Sequence, residues 1–242
     1  MRQTPMRPPS RRSGTRQALS LFGFAVALML LSQAAQAHAV TLGDKGYIQE
    51  TTGTHLIPFL YLGAKHMVTG YDHILFLLGV IFFLYGMKQI STYVSLFAIG
   101  HSTTMLAGVY FDIGINSYIV DAIIGFSVAY KALDNLGAFR VWFGVQPSTK
   151  AATLIFGFLH GFGLASKIID YDISPDGLVP NLLAFNLGVE IGQLLALAAI
   201  LVVMTRWRAS PSFARQAYAT NALMMTAGFA LMGFQIAGFL VA

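Results

Sequence analysis

Imidazoles and carboxylates recur in stretches of this chain that are otherwise apolar. His66, Asp72 and His73 fall in H-M-V-T-G-Y-D-H, His101 opens H-S-T-T, His160 sits in F-L-H-G-F-G, and Glu190 sits in F-N-L-G-V-E-I-G-Q. An ionisable side chain surrounded by hydrocarbon is costly, so each of these groups is a functional-site hypothesis. Several together, of types that bind borderline metals, suggest a site or a path for a divalent ion. The chain has no cysteine, which excludes thiolate metal sites, disulfides and iron–sulfur clusters. The donors that remain favour nickel, cobalt or zinc over copper(I). The ten methionines are scattered, with no Met-x-x-Met array, and read as apolar filler.

Spacing limits what these groups can do together. His66 and His73 share nearly one helical face, but an unbroken helix would separate them by about 10 Å. Metal–nitrogen bonds are about 2 Å long, so a straight helix cannot give both to one ion. A break at Gly70 would fold His66 back toward His73; without it the two mark successive stations on a path. Asp72 either binds the ion or orients a neighbouring imidazole. The alternative is a hydrogen-bonded Asp–His cluster that only holds helices together. His101 is balanced between ligand and packing residue, since the hydroxyls after it can bond the backbone one turn back. Gly157, Gly161 and Gly163 around His160 permit close helix approach and would also let a ligand come near.

Asn186, Glu190 and Gln193 are spaced four and three apart and so share a helical face, which makes Asn186 and Glu190 candidate metal ligands. Opposite a cation Glu190 would stay ionised; alone it would be protonated or paired. Asp121 is balanced between metal ligand and structural group. Lys131 and Asp134, three apart, read as a neutralising pair beside Asn135. Phe97–His101 and Phe156–His160 share an F-x3-H spacing, but they do not fit a three-plus-three arrangement, and no internal repeat is assigned.

The elements that carry these groups must be membrane helices. Of 242 residues, 56% are hydrophobic and 10% charged, well below the roughly 25% charged of a soluble domain. The fold class is all-α, a polytopic membrane helix bundle. A hydrocarbon core about 30 Å thick needs roughly 20 apolar residues per helix, which gives six spans at roughly 70–87, 91–111, 117–137, 151–169, 179–205 and 214–241. Residues 55–69 cannot continue straight into the first span, because one helix from His55 to Met87 would exceed the bilayer thickness by more than half. A break is expected near Thr69-Gly70, leaving a short interfacial or half helix with Pro58 near its start. Gly86-Met87-Lys88-Gln89 and Phe111-Asp112-Ile113-Gly114 read as tight turns, and Pro147 and Pro211 punctuate two further connections.

The N-terminus reads as a cleavable signal peptide over residues 1–37. Arg2, Arg7, Arg11, Arg12 and Arg16 precede an apolar run from Ala18 to Leu31, and Ala35-Gln36-Ala37 supplies a cleavage site. An uncleaved anchor is the alternative. Residues 38–54 then form a short extracytoplasmic segment and 55–242 the bundle. Cleavage would leave His38 first, where its α-amine and imidazole can chelate a metal or it simply follows the site. The net charge of +5 belongs to this segment and to loops, so no nucleic-acid partner is expected; the partners are a metal ion and the lipid bilayer. With the signal's arginines inside, the mature N-terminus lies outside. Lys88, Arg140, Lys150, Arg206, Arg208 and Arg215 then fall on inner loops. Lys45 and an acidic run over 170–176 fall on outer ones. Lys167 is an exception near the outer side. The acidic run either attracts cations or is an ordinary solvated loop.

Taken together, H-x5-D-H (His66, Asp72, His73), G-H-S-T-T from Gly100, A-Y-K-A-L-D-N from Ala129, F-G-F-L-H-G-F-G from Phe156 and F-N-L-G-V-E-I-G-Q from Phe185 resemble the HupE/UreJ family of membrane proteins, regarded as nickel permeases of hydrogenase and urease systems. The resemblance runs over about residues 55–200. In the best-characterised branch the His-Gly and glutamate elements are expected in one motif. Here His160 and Glu190 stand thirty residues apart, so the chain looks more like the second branch. The resemblance implies a multi-pass protein of the bacterial inner (plasma) membrane with nickel as its substrate. On this reading a dication exchanges water for Asp72, His73, His101, His160 and Glu190, with His66 near the entrance. Imidazole protonation would couple transport to protons. A zinc hydrolase using His73, His101 and His160 with Asp72 or Glu190 as base is the competing chemistry. A non-transporting subunit is the third reading, and a homo-oligomer or membrane partner is compatible with all three.

Overall fold

The computed structural model describes residues 47–169 and 175–242. The signal-peptide region, His38, Lys45 and most of the acidic run lie outside the described residues. Among the described residues every regular element is helical. After one helical turn at 47–50 come α1 (Leu56–Thr69), α2 (Tyr71–Ile81), α3 (Met87–Tyr110), α4 (Ser117–Asn135), the short α5 (Ala138–Phe143), α6 (Thr149–Ile169), α7 (Leu178–Arg208) and α8 (Phe213–Val241).

The helices pack mainly as three pairs, α1 with α7, α3 with α6 and α4 with α8, and α4 also meets α6 and α2. Small residues let backbones touch, which is how helices associate where lipid removes the hydrophobic drive between them. A Cβ on Gly157 would lie 2.5 Å from the Phe97 carbonyl oxygen, and one on Gly192 would lie 2.7 Å from that of Ala64. α1 is therefore pressed along α7. The turn at Phe111–Gly114 is present, with Asp112 at φ 54°. Asn116 caps α4 by accepting a bond from the Tyr118 amide.

Among the described residues three helices, α6, α7 and α8, are both long and apolar enough to cross a membrane. α3 and α4 have 24 and 19 residues and are less apolar because they carry several of the polar groups at issue. The segment read as a first span at 70–87 is not one helix. α2 has 11 residues and is only about 16 Å long. Its last carbonyls are met by side chains from elsewhere. Asn135 donates to Gly79 at 2.9 Å, and Arg208 donates to Phe82 at 3.0 Å and to Ile81. A helix that ends away from water needs such partners for its orphan carbonyls. The Arg208 guanidinium also lies 4.7 Å from the centre of the Tyr85 ring.

The same end of the bundle holds the expected Lys131–Asp134 pair, at 2.5 Å. Asp134 also accepts from Gln146 and from Thr149, the latter at 3.2 Å. Asn135 reaches Asn221 at 2.9 Å, and Asn221 bonds the Ala217 carbonyl at 2.9 Å.

Candidate metal centre

The junction between α1 and α2 builds the first half of the site. Gly70 closes α1 and opens α2 with φ −73° and ψ 100°, an extended conformation that breaks the helix. The break does what the spacing required: the His66 and His73 ring centres lie 5.2 Å apart. Gly70 is needed for space as well, since a Cβ there would lie 2.5 Å from His73 Nδ1. Asp72 Oδ2 lies 3.1 Å from that same Nδ1, where a carboxylate orients an imidazole.

α3 and α6 supply the second half. Their backbones touch along Gly157 and Gly161, so His101 and His160 arrive together. The His73 ring centre is 5.3 Å from that of His160 and 6.1 Å from that of His101. His160 Nδ1 donates to the Phe156 carbonyl at 2.7 Å. A neutral His160 therefore carries its lone pair on Nε2, the atom 4.0 Å from Asp72 Oδ2. Phe97 stands among the rings, 5.0 Å from His160 and 6.0 Å from His101 between centres, stacked on the latter.

All five groups are buried, with His101 at 1% and Asp72 at 2% exposure. Neither ring nitrogen of His101 makes a hydrogen bond. Imidazoles sharing one ion hold their ring centres about 5 Å apart, given nitrogen–metal bonds of about 2 Å. The His66–His73 and His73–His160 spacings match this, and the His73–His101 spacing is wider. The nitrogens are not gathered on one point, and among the described residues no three His, Asp or Glu groups close tightly enough to hold an ion. A cavity with room for about one water lies against His66, His73, His160, Gly163 and Lys167.

Five of the eight sequence candidates thus converge: His66, Asp72, His73, His101 and His160. The other three do not join them. Asp121 is held by Lys167, whose Nζ lies 2.8 and 3.0 Å from the two carboxylate oxygens. Asn186 is buried on α7 with an Oδ1 that accepts no hydrogen bond, next to Phe185, whose ring packs on His66 at 6.2 Å. Glu190 is exposed on the outer face of α7 while Asn186 and Gln193 are buried. The shared face was too coarse a criterion. At 100° per residue Asn186 and Gln193 nearly coincide, and Glu190 lies about 40° beyond Asn186. Gln193 instead donates to the Val94 carbonyl at 3.2 Å and ties α7 to α3.

Two residues escaped sequence reasoning. Phe97 looks like any core aromatic. Lys167 stood out only as a topological exception, yet it lies seven residues after His160, on the same face of α6.

The family described as HupE / UreJ protein matches residues 42–242. No curated protein matches the chain, and no solved structure does.

Proposed function

The chain belongs to the HupE/UreJ family, and from that premise we propose that it is a membrane permease for a divalent transition metal, with nickel the favoured substrate and cobalt or zinc the alternatives. The family is associated with membrane proteins of nickel and cobalt transport. The observation that carries the reading for this chain is the meeting of four imidazoles and a carboxylate, drawn from α1, α2, α3 and α6, in a buried place. Taking such groups out of water is costly unless a cation compensates them.

In this proposal α3, α4, α6, α7 and α8 cross the bilayer, and α1 with α2 forms a broken sixth crossing in a bacterial inner membrane. The mature N-terminus, after loss of a signal peptide at 1–37, lies outside. Irregular backbone at membrane depth is tolerated where it lines a site, which is the position of Gly70. A dication exchanges water for His66, Asp72, His73, His101 and His160. Loosely gathered ligands suit transport, because an ion must leave as well as arrive. Neutral imidazole binds metal and imidazolium does not, so a proton gradient can drive release.

The meeting of His73 with His101 and His160 is what the hydrolase alternative would use to hold zinc. The space beside the cluster speaks against it. Room for about one water accommodates an ion stripped of its shell and not the acyl chain or peptide that a membrane hydrolase would cut.

The test is nickel uptake and cell-associated nickel for wild type and His73→Ala at matched protein levels. Loss of accumulation in the variant is the expected result. Equal accumulation in both would reject the assignment.

A further inference from the structure

We propose that Lys167 is a tethered cation at the mouth of the metal site, which releases Asp121 to an arriving dication and thereby sets the site's preference for doubly charged ions. The proposal rests on the permease reading above. His160, Gly163, Leu164 and Lys167 form one stripe along α6, and all four line the same small cavity. His66 and His73 line it from the other side. Lys167 is therefore the only lysine, arginine or carboxylate among the described residues in the lining of the cavity that His66, His73 and His160 share.

The partner of that lysine comes from α4. A Cβ on Gly163 would lie 3.0 Å from Val120 Cγ1 and 3.2 Å from Ile124 Cδ1, so α6 and α4 are pressed together at this level. That approach places Asp121, between those two residues on α4, within reach of the amine. The pair is largely buried, with side-chain exposures of 14% for Lys167 and 7% for Asp121.

A buried carboxylate is stable only when matched. Lys167 supplies the match in the unloaded protein, and a metal ion can supply it in the loaded one. An ammonium suits this exchange because it is a point charge on a flexible four-carbon stem, free of the fork geometry that locks arginine to carboxylate. Replacing it by a monovalent ion leaves the charge at Asp121 unchanged. Replacing it by a dication adds a charge, and the nearby imidazoles add lone pairs. Selection by valence follows from one resident positive charge.

The experiment is calorimetric titration of nickel into purified full-length protein, with sodium as competitor, and nickel uptake into proteoliposomes. Lys167→Met leaves Asp121 negative without its ammonium partner. It is expected to tighten nickel binding about tenfold, to slow turnover, and to make binding sensitive to sodium. Asp121→Asn leaves the amine facing the imidazoles and is expected to weaken binding about tenfold. The double variant restores charge balance and is expected within about threefold of wild type. Lys167→Arg keeps charge and pairing, so it preserves thermal stability and lowers uptake. It serves if Lys167→Met does not fold. Unchanged affinity in Lys167→Met, unchanged uptake in folded Lys167→Arg, or a double variant no closer to wild type than the singles would overturn the proposal. If wild type binds nickel and His73→Ala does not, while the Lys167 variants match wild type, only the tethered cation is lost. If wild type binds no nickel, the permease reading falls with it.

Discussion

Two of the polar clusters buried among the described residues are built by different rules. Around Asp134, the carboxylate, the ammonium and the amides all have partners. Lys131, Gln146 and Thr149 converge on the carboxylate. Asn135 bridges the Gly79 carbonyl and Asn221, and Arg208 closes the end of α2. Around Asp72, imidazoles crowd together, and His101 buries two nitrogens that make no hydrogen bond. Both clusters consist of costly side chains in an apolar bundle, so burial of polar groups does not separate structure from function. Satisfaction does. The first cluster pairs its charges within the protein; on the proposed function, the second would gain a further partner for His101 when an ion arrives.

That contrast predicts a double dissociation. Asp134→Ala strands the Lys131 amine, and breaking one side of a buried pair costs about 3–5 kcal/mol. The expected outcome is a large fall in thermal stability, with nickel affinity unchanged in the protein that stays folded. His101→Phe is expected to do the reverse. It keeps the stacking on Phe97 and removes two buried nitrogens whose desolvation costs about 1–3 kcal/mol. Stability should hold or rise while nickel affinity drops about tenfold or more. Thermal unfolding and calorimetry on the same two preparations decide it. If both variants lose stability alike, the two clusters follow one rule and the distinction fails.

A smaller effect is expected from Gly70→Ala. Its Cβ would press on His73 Nδ1, so the ring must turn while α1 and α2 keep their own packing. Binding should weaken several-fold with little change in secondary structure by circular dichroism. A variant that binds nickel as wild type does would show that the His66–His73 approach is incidental.

Much of this is legible in the sequence, and the reasons are local. Gly70 declared itself because a straight helix from His55 was too long and could not bring two histidines to one ion. Lys131 and Asp134 declared themselves by helical spacing. The end of α2 did not, because Ile81, Phe82, Phe83 and Leu84 continue the apolar run and the stop is made by Arg208 from another helix. The F-x3-H spacing makes no repeat. Its meaning is contact: α3 and α6 pack so closely that Phe97 sits between His101 and His160. Lys167 and Asp121 lie on different helices, and no periodicity joins them.

Glu190 gives the weakest expected effect and the sharpest check on where the boundary of the site runs. It lies mid-helix on α7, flanked on the same exposed side by Leu187 and Leu194, at 50% and 59% exposure. Its carboxylate faces away from the side on which Phe185 meets His66, so it cannot share an ion with the imidazoles unless α7 turns. Glu190→Gln keeps shape and hydrogen-bonding capacity and removes the charge. Nickel affinity should stay within about twofold of wild type, since charges that share no partner with a site add little to it. Loss of binding as severe as in His101→Phe would mean that α7 rotates during transport, or that another subunit covers this face and completes the site. In either case the functional cluster would extend beyond the five groups gathered around Asp72, and a side chain's exposure in one isolated chain would no longer mark the site's edge.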